Sequence, residues 1–173
     1  MRLGWVFLDR DGTLSTSPPP GDYVTDPDQL TLLTGAGEAI ARFNRAGIWV
    51  GVVTNQRGIA LGLYTRADLE AIHRRLAELL AAHGAHLDGI WFCPHHNGEC
   101  DCRKPQPGML LAARSAVPGL DFARAAMIGD TEADVAAGNA AGVTTVRLGA
   151  DIGSATFVAS DLAAAAELLL HDH

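Results

Sequence analysis

Leu3-Gly4-Trp5-Val6-Phe7-Leu8-Asp9-Arg10-Asp11-Gly12-Thr13 is the stretch from which the rest of the chain can be read. Its first six residues make an apolar run of the length expected for a buried strand. That run stops abruptly at two carboxylates. In extended backbone, positions i and i+2 face the same side, so Asp9 and Asp11 can approach one ligand. Two anions held that close repel each other unless a cation lies nearby or one is protonated. Gly12 allows the sharp turn out of the strand. A plain strand-end turn is the alternative, because Asp and Gly favour turns in any case. What other segments bring to the same place decides between the two.

Outward from this stretch, strands and helices alternate. Ile48–Val53 is a second strand, rich in β-branched residues, and it ends in Thr54-Asn55-Gln56-Arg57-Gly58. Leu87–Phe92 is a third, Ala125–Ile128 a fourth that ends in Gly129-Asp130, and Val143–Leu148 a fifth. Helices are expected over Gly37–Ala46, from a Thr65/Asp68 capping pattern to Gly84, over Pro107–Ala116, from a Thr131/Asp134 capping pattern to Gly142, and over Leu162–Leu170. Leu69, Ile72, Leu76, Leu79 and Leu80 form the apolar stripe of the second of these. This alternation predicts an α/β fold with a central parallel sheet covered on both faces. Right-handed crossovers then bring every strand's carboxyl end to one edge. Asp9, Asp11, Thr54, Asn55 and Asp130 meet there, and their shared location favours a site over a set of separate turns.

The chain has 173 residues, 48% of them hydrophobic, enough for one well-packed domain spanning 1–173. A formal net charge of −7 argues against a nucleic-acid partner. No apolar run approaches the ~20 residues of a membrane helix, and the start carries no signal pattern, so no membrane partner and a cytoplasmic location are expected. A monomer is the expected state. Residues 14–34 include Pro18-Pro19-Pro20, which belongs to neither helix nor central strand. A loop this long beside Asp9 and Asp11 reads as a flap over the site, with a plain connector as the alternative.

Three carboxylates, a hydroxyl–amide pair and a downstream Arg103-Lys104 suit a divalent cation facing a phosphate. Mg²⁺ takes oxygen ligands, commonly one or two carboxylates with phosphate oxygens. A metal and a lysine offset the repulsion between an attacking carboxylate and a phosphate. Asp9 can then be the nucleophile that forms an aspartyl phosphate, with Asp11 as acid and base. Arg10, between them, is expected to point away from both.

Asp9-Arg10-Asp11-Gly12-Thr13, Thr54-Asn55, Lys104 and Gly129-Asp130 with Asp134 resemble the four ordered motifs of the haloacid dehalogenase (HAD) superfamily. The resemblance implies a three-layer Rossmann-like fold without a separate cap domain. It also implies a phosphatase in which Asp9, Asp11, Thr54 and Lys104 are catalytic and Asp9, Asp11 and Asp130 serve Mg²⁺. Asp134 is left between a metal role and its helix-capping role, with the cap placed first.

All three cysteines lie within Cys93-Pro94-His95-His96-Asn97-Gly98-Glu99-Cys100-Asp101-Cys102. An odd number so closely spaced suits a metal better than a disulfide framework. Cys93, His95, Cys100 and Cys102 supply a closed, structural Zn²⁺ site in a loop over 93–102. His96 is the neighbour most easily confused with the ligand, and a reduced-thiol loop is the alternative. Clamping this loop would fix Lys104, two positions beyond Cys102.

The Cys-Pro-His-His run, Cys-Asp-Cys-Arg-Lys-Pro and Thr54-Asn55-Gln56 with Gly58-Ile59-Ala60 narrow the resemblance to the heptose 1,7-bisphosphate 7-phosphatases. By that resemblance Gly21, Asp22, Tyr23, Thr54, Asn55, Gln56, Arg57, Arg103 and Lys104 contact substrate, a small phosphorylated sugar. Leu61 and Thr131 stand where that family often has cations, and the short zinc loop is similar to that of the histidinol-phosphate phosphatases. Histidinol-phosphate hydrolysis is therefore one alternative, and a non-catalytic zinc-stabilised binding module is another. A phosphomutase is disfavoured, because without a cap water reaches the site. Whether the His171-Asp172-His173 tail is ordered stays open.

Overall fold

The computed structural model describes residues 3–171. Asp172 and His173 of the tail therefore lie outside the described residues, and His171 ends the last helix. Six strands form one parallel sheet: β1 (Trp5–Leu8), β2 (Trp49–Asn55), β3 (Gly89–Cys93), β4 (Ala125–Gly129), β5 (Thr144–Leu148) and β6 (Phe157–Ala159). Five helices accompany them: α1 (Ala36–Arg45), α2 (Arg66–Ala81), α3 (Gly108–Ala116), α4 (Glu132–Ala141) and α5 (Leu162–His171).

The strand order is β3-β2-β1-β4-β5-β6. From β1 the chain steps outward through α1 and α2 to β2 and β3. It then returns across the sheet through α3 and α4 to β4 and β5. Because right-handed crossovers in opposite directions place their helices on opposite faces, three layers result. Alternating residues of the strands serve the two faces. Val6, Leu8, Val52 and Ile128 pack with Ile40 and Phe43 of α1, Ile72 and Leu76 of α2 and Leu169 of α5. Phe7, Val53 and Met127 pack with Met109 and Leu110 of α3 and Ala137 of α4. All these side chains are buried, and each one larger than alanine contributes roughly 1.5–3 kcal/mol of transfer free energy.

The expected elements are present to within a few residues at their ends, and β6 and two single 3-10 turns (Pro27–Gln29 and Phe122–Arg124) are additions. Three residues are too short for a periodic signal, and Val158 at the centre of β6 is exposed, as an edge strand permits. β1 lies between β2 and β4, pairing Leu8 with Val52 on one side and Ile128 on the other. The order reverses at β1, so the crevice beyond its carboxyl end is the position where open α/β sheets bind ligands.

Candidate active site

Asp9 follows Leu8 directly, and its amide donates to the Ile128 carbonyl at 3.1 Å. Thr54 and Asn55 are the last residues of β2, and Asp130 follows the last residue of β4. Close backbone approach is what lets these strand ends converge. Gly12 has φ +89°, and a Cβ there would run into the Asp130 carboxylate. A Cβ on Gly129 would strike the Asp134 side chain.

Lys104 joins the carboxylates. Its Nζ donates to Asp9 Oδ1 at 2.7 Å and to the Val53 carbonyl at 2.8 Å, and it pairs with Asp134 Oδ1 at 2.6 Å. Two of these contacts are hydrogen bonds; the third is an ion pair, and Asp134 Oδ1 has no hydrogen-bond donor of its own. Asp134 has the capping role expected first, and it also turns an oxygen towards the carboxylates. Its Oδ2 accepts from the Thr131 amide and hydroxyl, closing the capping box of α4, while Oδ1 turns into the site. Asp9, Asp130 and Asp134 each present an oxygen within 4.8 Å of the others'. Three carboxylates against one ammonium leave the cluster short of positive charge. An all-oxygen set of this kind fits a hard dication such as Mg²⁺. Burial pushes Asp9 up to about 7 against the pull of Lys104, and Asp134 and Asp11 add to the rise. Burial likewise raises Asp130. Burial alone would lower Lys104, but Asp9 and Asp134 outweigh it and hold the ammonium above its ordinary value.

Asp11 lines the same small cavity, about 170 Å³, with Asp9, Thr54, Asn55, Lys104, Thr131 and Asp134. Two expectations change here. Arg10 does not point away from the carboxylates: its Nε and Nη2 donate to the two oxygens of Asp11, both at 2.9 Å. Arg10 is wholly buried, and a buried guanidinium needs a counter-ion. In consequence the Asp11 carboxylate lies outside the acidic cluster, where Asp134 stands in the place expected for it. Ser15 Oγ and Gln56 Nε2 complete the shell of Asp11 at 3.3 and 3.2 Å.

The residues expected to touch substrate divide into groups. Thr54 faces the small cavity; its Oγ accepts from Gln56 Nε2 at 2.8 Å, so its own proton is free to be donated. Gln56 itself is buried, with both amide protons committed to Asp11 and Thr54 and its carbonyl accepting from the Tyr64 hydroxyl at 2.5 Å. It braces the site and has no proton to offer a ligand. Asn55 brackets the main chain of Lys104, donating to its carbonyl and accepting from its amide, both at 3.1 Å. Gly21, Asp22 and Tyr23 line a separate cavity of about 680 Å³ under the 14–34 loop, which includes none of the clustered carboxylates. Arg103 lines a third space, about 390 Å³, that shares Asn55 and Lys104 with the small cavity. Arg57 Nε and Arg103 Nη1 are buried without a hydrogen-bond partner.

Sequence reasoning did not single out Ser15, Tyr64 or His73. The only available signal was for His73, a polar residue directly beside the apolar stripe Leu69-Ile72-Leu76.

In the cysteine loop, Cys93, His95, Cys100 and Cys102 converge, and His96 is not part of the group. The Cys93–Cys100 and Cys100–Cys102 sulfurs lie 3.5 and 3.3 Å apart, and His95 Nδ1 is 3.6 and 3.3 Å from Cys93 and Cys102. A tetrahedron of sulfurs bound at ~2.3 Å has edges of about 3.8 Å, a few tenths longer than these separations. The spacing is much too long for S–S bonds, and the four ligands suit Zn²⁺.

The HAD-hydrolase-like family model matches residues 101–166. The D-glycero-β-D-manno-heptose-1,7-bisphosphate 7-phosphatase of Pseudomonas aeruginosa PAO1 is 40% identical, with 98% of this chain and 99% of that protein covered. Its counterpart in Escherichia coli K12 is 40% identical over 148 residues, 81% of this chain and 75% of that one. Among solved structures, the D,D-heptose 1,7-bisphosphate phosphatase of B. bronchiseptica, complexed with magnesium and phosphate, superposes with a TM-score of 0.86. It shares 35% identity and covers 99% of this chain and 100% of its own.

Proposed function

The chain belongs to the HAD-like phosphatases, in the family of the D-glycero-β-D-manno-heptose-1,7-bisphosphate 7-phosphatases, and on that premise we propose that it hydrolyses the 7-phosphate of a heptose 1,7-bisphosphate through an aspartyl phosphate on Asp9. The observation that carries this reading is the Lys104 ammonium seated between Asp9 and Asp134, with Asp130 beside them, at the switch point of the sheet.

Asp9, Asp130 and Asp134 are the groups that would hold Mg²⁺, which would offset the negative charge that develops on the phosphoryl oxygens. An Asp9 oxygen attacks phosphorus, the bond to the sugar oxygen breaks, and Asp11 gives that oxygen its proton. Water then attacks the phosphorus of the aspartyl phosphate. Asp11 takes the water's proton and Asp9 leaves as a carboxylate. Lys104 keeps the nucleophile oriented, and the free Thr54 proton suits a phosphoryl oxygen. The 170 Å³ cavity is of phosphoryl size, and the adjoining 390 Å³ space with Arg103 suits the remainder of an anionic sugar. Zn²⁺ on the four-ligand loop is structural, since a closed shell has no position for water. Three clustered thiols suit the reducing cytoplasm.

Phosphate release from both anomers of the heptose bisphosphate and from histidinol phosphate, with and without Mg²⁺, tests the reading. Mg²⁺-dependent turnover is expected to be fastest on a heptose bisphosphate. Preference for histidinol phosphate would move the substrate. Failure on every sugar phosphate tried, at saturating Mg²⁺, would leave the binding module.

A further inference from the structure

Arg10 uses only part of its guanidinium on Asp11. The remaining terminal nitrogen, Nη1, lies 3.3 Å from Nε2 of His73 on α2, sixty-three residues along the chain. Arginine has no acceptor, so His73 Nε2 must be the acceptor and the ring carries its proton on Nδ1. Burial, and then the Arg10 charge, push His73 down to about 4, which keeps the ring neutral. Phe92 meets it edge to face, with centroids 6.3 Å apart. The guanidinium is therefore pinned at both ends: Nε and Nη2 on the two oxygens of Asp11, and Nη1 on a partly buried ring held by α2.

We infer that His73 is a positioning residue, acting through Arg10 to fix the plane and reach of the Asp11 carboxylate for its two proton transfers. The inference rests on the aspartyl-phosphate reading above. Without an acceptor at position 73, Nη1 is left unpaired in the core. The guanidinium then turns to find a partner, and Asp11, chelated by it, turns as well. Proton transfer needs hydrogen-bond reach to the leaving oxygen, so the effect falls on that step. His73 touches neither Asp9 nor Lys104 among the contacts seen, and attack on phosphorus is affected less.

The test measures phosphorylation of Asp9 by rapid quench, with Mg²⁺, from benzyl phosphate and from p-nitrophenyl phosphate. The benzyl leaving group needs a proton and the nitrophenyl group does not. His73→Leu, which keeps the volume and removes the acceptor, is expected to slow the benzyl reaction roughly tenfold more than the nitrophenyl reaction, in the rate at saturation and not in KM. His73→Gln, whose carbonyl can accept near the Nε2 position, is expected to recover most of that selective loss. His73→Met is read in the same way should the leucine substitution unfold the protein. Equal losses on both substrates, no loss on benzyl phosphate, or a glutamine variant as selective in its defect as leucine would each overturn the positioning role. Wild-type protein that is phosphorylated by neither compound would remove the aspartyl-phosphate reading itself. Wild-type protein phosphorylated by both but inert towards heptose bisphosphates would remove only that substrate.

Discussion

Lys104 donates to Asp9 and to the Val53 carbonyl and forms an ion pair with Asp134, and both carboxylates are themselves buried. Replacing it by methionine takes the counter-ion from two carboxyl groups in a poorly solvated place, and Asp9, already raised by burial, must then take up a proton. Breaking a buried pair in this way costs about 3–5 kcal/mol, so Lys104→Met is expected to lower the metal-free unfolding free energy by that order in a denaturant titration. It is also expected to reduce turnover by roughly 10² or more, because charge complementing the phosphoryl group is lost. An unchanged unfolding midpoint would mean that the ammonium does not hold the carboxylates together. Asp9→Asn acts differently. It removes the attacking oxygen while keeping the shape and a carbonyl acceptor for Lys104. Turnover is expected to vanish with the fold intact, measured as loss of acid-trapped phosphate on the protein beside a native circular dichroism spectrum. Trapped phosphate persisting in this variant would place the nucleophile elsewhere.

The loop after β3 shows how an element can set a residue. Cys93 ends the strand, Cys102 closes the cluster, and Lys104 enters the site two positions later, its main chain bracketed by Asn55 from the end of β2. Cys102→Ser is expected to lower bound zinc, read by atomic absorption, and to reduce phosphatase activity in parallel, because the segment carrying Lys104 loses one of its two anchors. Zinc-free protein with normal turnover would show that the Asn55 bracket suffices alone. What was legible in the sequence follows the same division. Strand ends could be read because an apolar run that stops at Asp9, at Thr54 or at Asp130 is a local pattern, and the cysteine spacing is local too. Asp134 was half hidden, since its capping pattern with Thr131 explained it completely until the second oxygen was located. Arg10 was misread because alternation along an extended segment ends where the turn at Gly12 begins. Gln56 and Asn55 were read as substrate contacts, yet their partners lie at Asp11, Tyr64 and Lys104, distances along the chain that no spacing rule reports.

At the scale of the whole molecule, part of the net charge of −7 lies at one sheet edge, where three acids share one ammonium. Folding must bring these acids together, so their protonation is linked to stability. Burial holds Asp9 at about 7 in the folded metal-free protein, against 3.8 for the free side chain. Between those values the folded form keeps a proton that the unfolded form has released. The stability from this group is therefore present below about 4 and is lost as pH rises through about 7. The rise at Asp130 acts in the same direction. His73 acts in the opposite one: lowered to about 4 from 6.5, it contributes stability above 6.5 that is lost as pH falls through 4. Comparing melts with and without Mg²⁺ cancels His73, which remains neutral in both, and leaves the acids. A dication binds their ionised form and displaces the proton. Apparent Mg²⁺ affinity is thus expected to strengthen by up to about tenfold per pH unit below 7 for one displaced proton, and to level off above it. Because the ion binds only the folded chain, the Mg²⁺-induced rise in melting temperature is expected to grow between about pH 5 and pH 7.5. Calorimetry in buffers of different ionisation enthalpy counts the protons released. Mg²⁺ binding that released none near pH 6 would mean that Asp9 is already ionised there, and that Lys104 rather than burial governs its charge.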